Sequence, residues 1–197
     1  MKILIATTNQ GKIIELLDLL KGLKHQLVTP INLNLNLQVE ESGTTYVQNA
    51  MLKARAYCQA SGLVTLADDT GLEVAVLDGA PGLHSARFSP HPQAADADRR
   101  KLLLETLQPF PHPWQARFTC TVALASPQGW TKTAEGSCQG EIIDTERGIR
   151  GFGYDHIFLF PELGKTMAEL SLEEKNQISH RARAVRAILP EITLLNG

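Results

Sequence analysis

Residues 2–6 open the chain with three consecutive apolar positions, Ile3, Leu4 and Ile5, the pattern of a buried strand. Ile13, Leu16, Leu17 and Leu20 then recur at helical spacing, so a helix runs to about Lys21 with Asn9 as its N-cap. His25–Val28 reads as a short strand, and Asn32–Leu37 alternates Asn with Leu, which predicts a half-buried edge strand. The next helix is clear: Val47, Ala50, Met51, Ala54, Tyr57 and Cys58 form one apolar stripe, and Thr45 with Gln48 fits a capping box at its start. Leu63–Ala67 is an apolar run of strand length, and it predicts a strand that exits into a loop at Asp68-Asp69. Leu72–Leu77 reads as a further strand, followed by a turn over Asp78–Gly82. Pro90, Pro92, Pro109, Pro111 and Pro113 bracket a helix from about Asp96 to Leu107. Residues 116–125 alternate, Ser126–Gly129 has the signature of a type I turn, and Trp130–Ile143 returns, so a long hairpin is expected. Ile178, Ala182, Val185 and Leu189 mark the buried face of a last helix, which Leu189-Pro190 closes. The elements together predict an α/β (mixed α+β) chain.

Bulk properties narrow the function classes. A length of 197 residues allows one domain with a real core, and a net charge of -2 gives no sign of wholesale binding to nucleic acid or an anionic membrane. Three cysteines, Cys58, Cys120 and Cys138, form no CxxC pair, which suits reduced thiols in the cytoplasm. The six histidines lack paired ligand spacing, so a zinc site is not expected. Met1–Ala6 is too short an apolar run for a signal peptide, and no stretch reaches transmembrane length.

The candidate chemistry lies in a few polar stretches. Asp68-Asp69 puts two carboxylates side by side; their repulsion is relieved by a cation, and magnesium prefers such oxygens together with substrate phosphates. A solvated acidic turn is the competing reading. Glu40-Glu41 forms a second acidic turn. The turn Thr7–Gly11 leads into a helix whose first turn carries Lys12, a cation placed against the helix dipole. An anion bound at that helix end would explain it, and so would an ordinary surface lysine. Lys53 lies on the polar face of the second helix, where solvation and phosphate contact both fit. Gly148–Asp155 is a glycine-spaced loop with two aromatics, Phe152 and Tyr154, able to stack on a base or to tuck into the core. His180 and Arg181 fall on the first turns of the last helix.

Several motifs in one order resemble a known family. Thr7-Thr8-Asn9-Gln10-Gly11-Lys12 with Glu15, Ala67-Asp68-Asp69-Thr70-Gly71-Leu72, Gly79–Gly82 with Ser85-Ala86-Arg87, Gly151-Phe152-Gly153-Tyr154-Asp155, Glu174-Lys175-Asn176 and Ile178-Ser179-His180-Arg181 are similar to motifs of the inosine triphosphate pyrophosphatase family. The resemblance implies a single domain of this type over residues 1–197, with a long mixed sheet flanked by helices in two lobes and the active site in the cleft between them. It implies hydrolysis of ITP, dITP and XTP between the α and β phosphates, giving a monophosphate and pyrophosphate and so cleansing the nucleotide pool. Magnesium is the implied cofactor and a homodimer the implied assembly, with a small-molecule nucleotide as partner and neither nucleic acid nor membrane.

Roles follow residue by residue from the resemblance. Thr7, Thr8, Asn9, Gln10, Gly11 and Lys12 hold the triphosphate, and Asp69 accepts a proton from the attacking water. Asp68, Asp69, Glu40 and Glu41 hold the metal, Lys53 and Lys175 neutralise phosphate charge, and Thr70 keeps the hydroxyl of a usual serine. Phe152, with Gly153 and Tyr154 beside it, stacks on the base, while Asp155, His180 and Arg181 read the base edge. Four positions depart from the pattern: Thr8 replaces a glycine, Thr70 a serine, His84 a tyrosine and His156 a proline. Two other readings compete, a phosphatase that releases orthophosphate and a non-catalytic nucleotide sensor. The first wants aspartates at i and i+2, whereas here they are adjacent; the second would be expected to lack an acid of the site.

Overall fold

The computed structural model describes residues 1–91 and 93–195. Of the bracketing prolines, Pro92 lies outside the described residues. Among the described residues the chain forms five α-helices and one mixed sheet of eight strands, in the order β2-β1-β3-β5-β6-β7-β8 with β4 paired to β3. The strands are β1 (Lys2–Ile5), β2 (Gln26–Val28), β3 (Val64–Val74), β4 (Pro81–Gly82), β5 (Trp114–Ala125), β6 (Thr131–Ile142), β7 (Phe158–Phe160) and β8 (Lys165–Thr166). The helices are α1 (Gln10–Leu19), α2 (Tyr46–Ser61), α3 (Asp96–Leu107), α4 (Leu172–Ile178) and α5 (His180–Thr193). The expected α/β class is present.

The chain divides into two compact units. The first comprises Met1–Asp69, Cys120–Gly136 and the segment from Ser179 onward. Here β1 runs parallel to both β2 and β3, so Ile3, Leu4 and Ile5 are fully enclosed. One core packs Ile3 and Ile5 against Leu16 and Leu20 of α1 and Val185, Ile188 and Ile192 of α5. Another packs Leu4 and Val28 against Ala50, Ala54, Tyr57 and Cys58 of α2. The helix starts follow the sequence chemistry: Asn9 Oδ1 accepts from the Lys12 amide at 3.1 Å, and Thr45 Oγ1 accepts from the Gln48 amide at 3.2 Å. Gly136 of β6 lies against the first turns of α5, where a Cβ would collide with the His180 carbonyl and the Ala184 amide. Gly136→Ala should therefore cost about 1–3 kcal/mol of stability by overpacking, read as a lower urea midpoint.

The second unit comprises Thr70–Thr119 and Ser137–Ile178. Its core gathers Leu72 and Val74 of β3, Leu103 and Leu107 of α3, Phe118, Ile157, Phe158 and Met167. Ser85 ties down the chain after β4: its Oγ accepts from the Leu72 amide at 2.8 Å and donates to the Gly82 carbonyl at 2.6 Å. Tyr154 donates its hydroxyl to the Ser85 carbonyl at 2.9 Å and is buried, so this aromatic of the glycine-spaced loop belongs to the core.

Several expectations need correction. Asn32–Leu37 is not a strand: Pro30–Leu33 makes a 3-10 turn, Asn34 takes a left-handed conformation, and the chain continues without a ladder. Its alternation still has a use, because Leu33, Leu35, Leu37 and Val39 pack against the α2 side of the core. The strand expected to end at Asp68-Asp69 runs on as β3 to Val74, and the expected strand at Leu72–Leu77 is its continuation followed by a 3-10 turn at Ala75–Leu77. The last helix begins at His180, with Ser179 Oγ accepting from the Ala182 amide, and Ile178 belongs to α4. Pro190 lies inside α5, which continues to Thr193. A proline so close to the end removes one hydrogen bond without a full turn to disrupt after it.

Candidate active site

The acid pair lies within β3 with both carboxylates buried, so the strand side chains alternate and the two acids face different partners. Asp68 meets cations. Its Oδ2 accepts from Lys12 Nζ at 3.0 Å and from Arg181 Nη2 and Nε at 3.2 and 3.3 Å. Arg181 in turn pairs through Nη1 with Glu15, itself buried on α1. Burial alone would push the Asp68 carboxyl up, but the charges of Lys12, Arg181 and Lys53 outweigh it and hold the group well below the usual carboxylate range. Arg181 loses solvation too, and Glu15 and Asp68 more than restore its preference for the charged form.

Asp69 faces α2. Its Oδ1 accepts from Lys53 Nζ at 2.8 Å, and its Oδ2 from Asn49 Nδ2 at 3.3 Å. Lys53 Nζ also donates to Glu41 Oε1 at 2.6 Å. Asn49 and Lys53 are four residues apart on α2, so one helix face presents an amide and an ammonium to one carboxylate. Asn49 is fully buried, and its Oδ1 accepts from the Gly43 amide at 2.8 Å, which fixes the side-chain orientation. Burial raises the Asp69 carboxyl above its ordinary value, and the Lys53 charge offsets that only in part. For Lys53, burial works against the charged form, but Asp69, Asp68 and Glu41 raise its proton affinity overall.

These contacts settle where the first unit places the expected residues. The ion pairs form two sets that meet only at adjacent positions of β3: Lys12 and Arg181 with Asp68, and Lys53 with Asp69 and Glu41. The Thr7–Gly11 turn leads into α1, its Asn9 amide donating to Thr7 Oγ1 at 3.2 Å. Thr8 is not among the residues with positive φ, so the threonine stands there without backbone strain. Glu40 is exposed, and His180 is buried. Asn49 and Glu15 carry no role in the sequence reading. A polar Asn one helical turn before Lys53 was the available sign of the first; a buried glutamate on an apolar helix face gives no local sign at all.

The second unit holds the glycine loop. Asp155 Oδ2 accepts from the Phe152 amide at 2.9 Å and pairs with Lys175 Nζ at 2.5 Å, both charged groups being buried. Gly151 has a φ of 75° and a Cβ there would strike the Asp155 carboxylate, so this position admits only glycine. Lys175 Nζ lies 5.0 Å from the centre of the partly buried Phe152 ring. Arg87 Nε donates to His84 Nδ1 at 3.2 Å.

The sequence model of the Ham1 family matches residues 3–191. The chain belongs to the Ham1 family. It is 46% identical over 187 residues to the dITP/XTP pyrophosphatase of Desulforamulus reducens, covering 94% of this chain and 92% of that protein. A dITP/XTP pyrophosphatase of Thermus thermophilus is 45% identical, covering 96% and 90%. Among solved structures, a HAM1 protein from Coxiella burnetii superimposes with a TM-score of 0.88 at 36% identity, over 99% of this chain and all (100%) of that one. The Staphylococcus aureus Ham1 protein gives a TM-score of 0.84 at 38% identity, over 98% of each chain. No helix among the described residues of this Ham1 chain is long and apolar enough to cross a membrane.

A divalent cation fits this Ham1 site in a limited sense. Among the described residues no three His, Cys, Asp or Glu side chains form a ready metal cage. Two carboxylates, Asp69 and Glu41, do converge on one point, now filled by the Lys53 ammonium. Magnesium is held in many phosphate enzymes by one or two carboxylates and the substrate phosphates, so this donor set suffices.

Proposed function

We propose that this chain is a nucleoside-triphosphate pyrophosphohydrolase that cleaves ITP, dITP and XTP between the α and β phosphates. The observation that carries the reading is the pair of adjacent β3 acids, each held by its own cation: Asp68 by Lys12, and Asp69, together with Glu41, by Lys53. Buried aspartates paired with half-buried lysines match the needs of phosphoryl transfer, which wants charge neutralisation and an oriented water. The names of the relatives, dITP/XTP pyrophosphatases at 46% and 45% identity, support the substrate class.

In this reading Asp69 takes a proton from water as the water oxygen bonds to the α-phosphorus. The bond from that phosphorus to the bridging oxygen breaks, and pyrophosphate leaves with the electron pair. The raised proton affinity of Asp69 suits a proton acceptor, and Asn49 holds the carboxylate toward its task. Lys12 and Lys53 neutralise phosphate charge, with the Asn9-capped start of α1 adding amide donors through the Thr7–Gly11 turn. Glu41 and Asp69 would hold magnesium, which supplies Lewis-acid polarisation of the phosphate oxygens when bound. Asp68 keeps Lys12 and Arg181 in place, so Arg181 serves the acid here instead of the base edge. In the second unit, Phe152 stacks on the purine, and Asp155 with Lys175 reads its edge. The enzyme works in the cytoplasm as a homodimer, in keeping with its resemblance and with three buried cysteines that form no disulfide.

The test is a magnesium-dependent assay of ITP, dITP, XTP, GTP and ATP with pyrophosphate detection. ITP, dITP and XTP should be favoured over ATP and GTP by at least about tenfold in kcat/KM. Stepwise orthophosphate release, or nucleotide binding with no turnover, would overturn the reading.

A further inference from the structure

The loop that carries Phe152 is gripped by two side chains of α3, neither of which stands in any motif of the site. Asp96, the first residue of α3, accepts from the Gly153 amide through Oδ2 at 2.6 Å. Arg100, one turn later on the same helix face, donates through Nη1 to the Gly153 carbonyl at 2.7 Å. Both hydrogen-bonding atoms of Gly153 are thus held from one helix. Arg100 is 7% exposed and is itself oriented by Glu146, whose two oxygens accept from Nε at 2.8 Å and Nη2 at 2.9 Å. Burying a guanidinium to hold a single loop residue is a costly arrangement for a connection that packing alone could support. Gly153 has a φ of 59° and separates Phe152 from Tyr154, whose hydroxyl is fixed on Ser85. On the other side, the Phe152 amide is held by Asp155. With the clamp in place the ring of Phe152 has its backbone fixed before and after it.

We propose that Asp96 and Arg100 are positioning residues for base recognition: by fixing the Gly153 peptide they hold Phe152 and Asp155 in the arrangement that receives the purine. The proposal rests on the reading of this loop as the base site. A loop ordered in advance does not lose that freedom on binding, so removing the clamp weakens capture of the base more than it slows the chemistry. Base stacking is made in the ground state and the transition state alike, and its loss raises KM at little change in kcat.

The experiment compares ITP with ribose 5-triphosphate, which has the phosphates and lacks the base, in the full-length wild type and in Arg100→Ala, Asp96→Ala, Asp96→Asn and Phe152→Ala. Arg100→Ala and Asp96→Ala should each lower the ratio of kcat/KM for ITP to that for ribose 5-triphosphate by about tenfold or more, through a raised KM for ITP. Asp96→Asn keeps an acceptor for the Gly153 amide and should recover most of the ratio. Phe152→Ala should lower the ratio as well. An unchanged ratio in Arg100→Ala and Asp96→Ala beside a lowered one in Phe152→Ala overturns the clamp and leaves the base-site reading standing. An unchanged ratio in Phe152→Ala overturns both. Should Arg100→Ala fail to fold, the Asp96 pair decides, since a purely structural loss would not be repaired selectively in the ratio by Asn.

Discussion

Replacing Asp69 by Asn should lower kcat by about 10²–10⁴-fold while leaving nucleotide affinity largely in place. The amide keeps the shape of the carboxylate and its oxygen can still accept from Lys53, but it loses the second acceptor that Asn49 meets and cannot accept a proton from water. The environment makes the acid a better base than an exposed aspartate: burial raises its proton affinity, and the Lys53 ammonium at 2.8 Å only partly offsets this. Single-turnover kinetics with ITP, together with nucleotide titration by calorimetry, separates the chemical step from binding. Unchanged turnover would remove Asp69 from its role. Comparable loss of affinity would make it chiefly a binding group.

Arg181→Met should have the largest effect on stability, about 3–5 kcal/mol at neutral pH. Methionine fills much of the same volume, yet Glu15 and Asp68 would lose the guanidinium that lies between them in a buried setting. Lys12 still reaches Asp68 at 3.0 Å, so Glu15 is left in the worse position. The loss should depend on pH in a definite direction. Asp68 has a folded-state pKa below its unfolded value, so its contribution is complete above the unfolded value near roughly 4 and fades as pH falls below it. The gap in unfolding free energy between wild type and variant should therefore be widest near neutrality and narrow below about pH 4. Urea unfolding across pH measures this; a gap that widened toward acid would contradict the assignment.

The same two acids show what the sequence could and could not reveal. Adjacent aspartates at the end of an apolar run look like the end of a strand, because local pattern treats charge as a surface signal. The run continues to Val74 because the neutralising groups come from elsewhere in the chain: Lys12 from α1, Lys53 from α2 and Arg181 from α5. Local signals were sufficient where the chemistry is local. The Asn9 cap, the Thr45 cap (without the full box, since the Gln48 side chain accepts from the Thr44 amide) and the Val47–Cys58 stripe each rest on contacts within one or two turns, and α1 and α2 start where they indicate. Alternation at Asn32–Leu37 misled because period two reports burial of alternate residues, which an irregular segment without ladder partners also achieves. The break between α4 and α5 at Ser179 was missed for a related reason, since the apolar spacing from Ile178 to Ala182 bridges the cap. Within the site, residues that bear obvious chemistry were legible, and those that hold them were not. Asn49, Glu15, Asp96 and Arg100 act through partners distant in sequence, and their local patterns do not reveal those partners.

Hydrolysis at the α-phosphorus is tested most directly by turning over ITP in ¹⁸O-labelled water and locating the label by mass spectrometry. One labelled oxygen in inosine monophosphate and none in pyrophosphate is the expected result. Label in pyrophosphate, or in released orthophosphate, would contradict it.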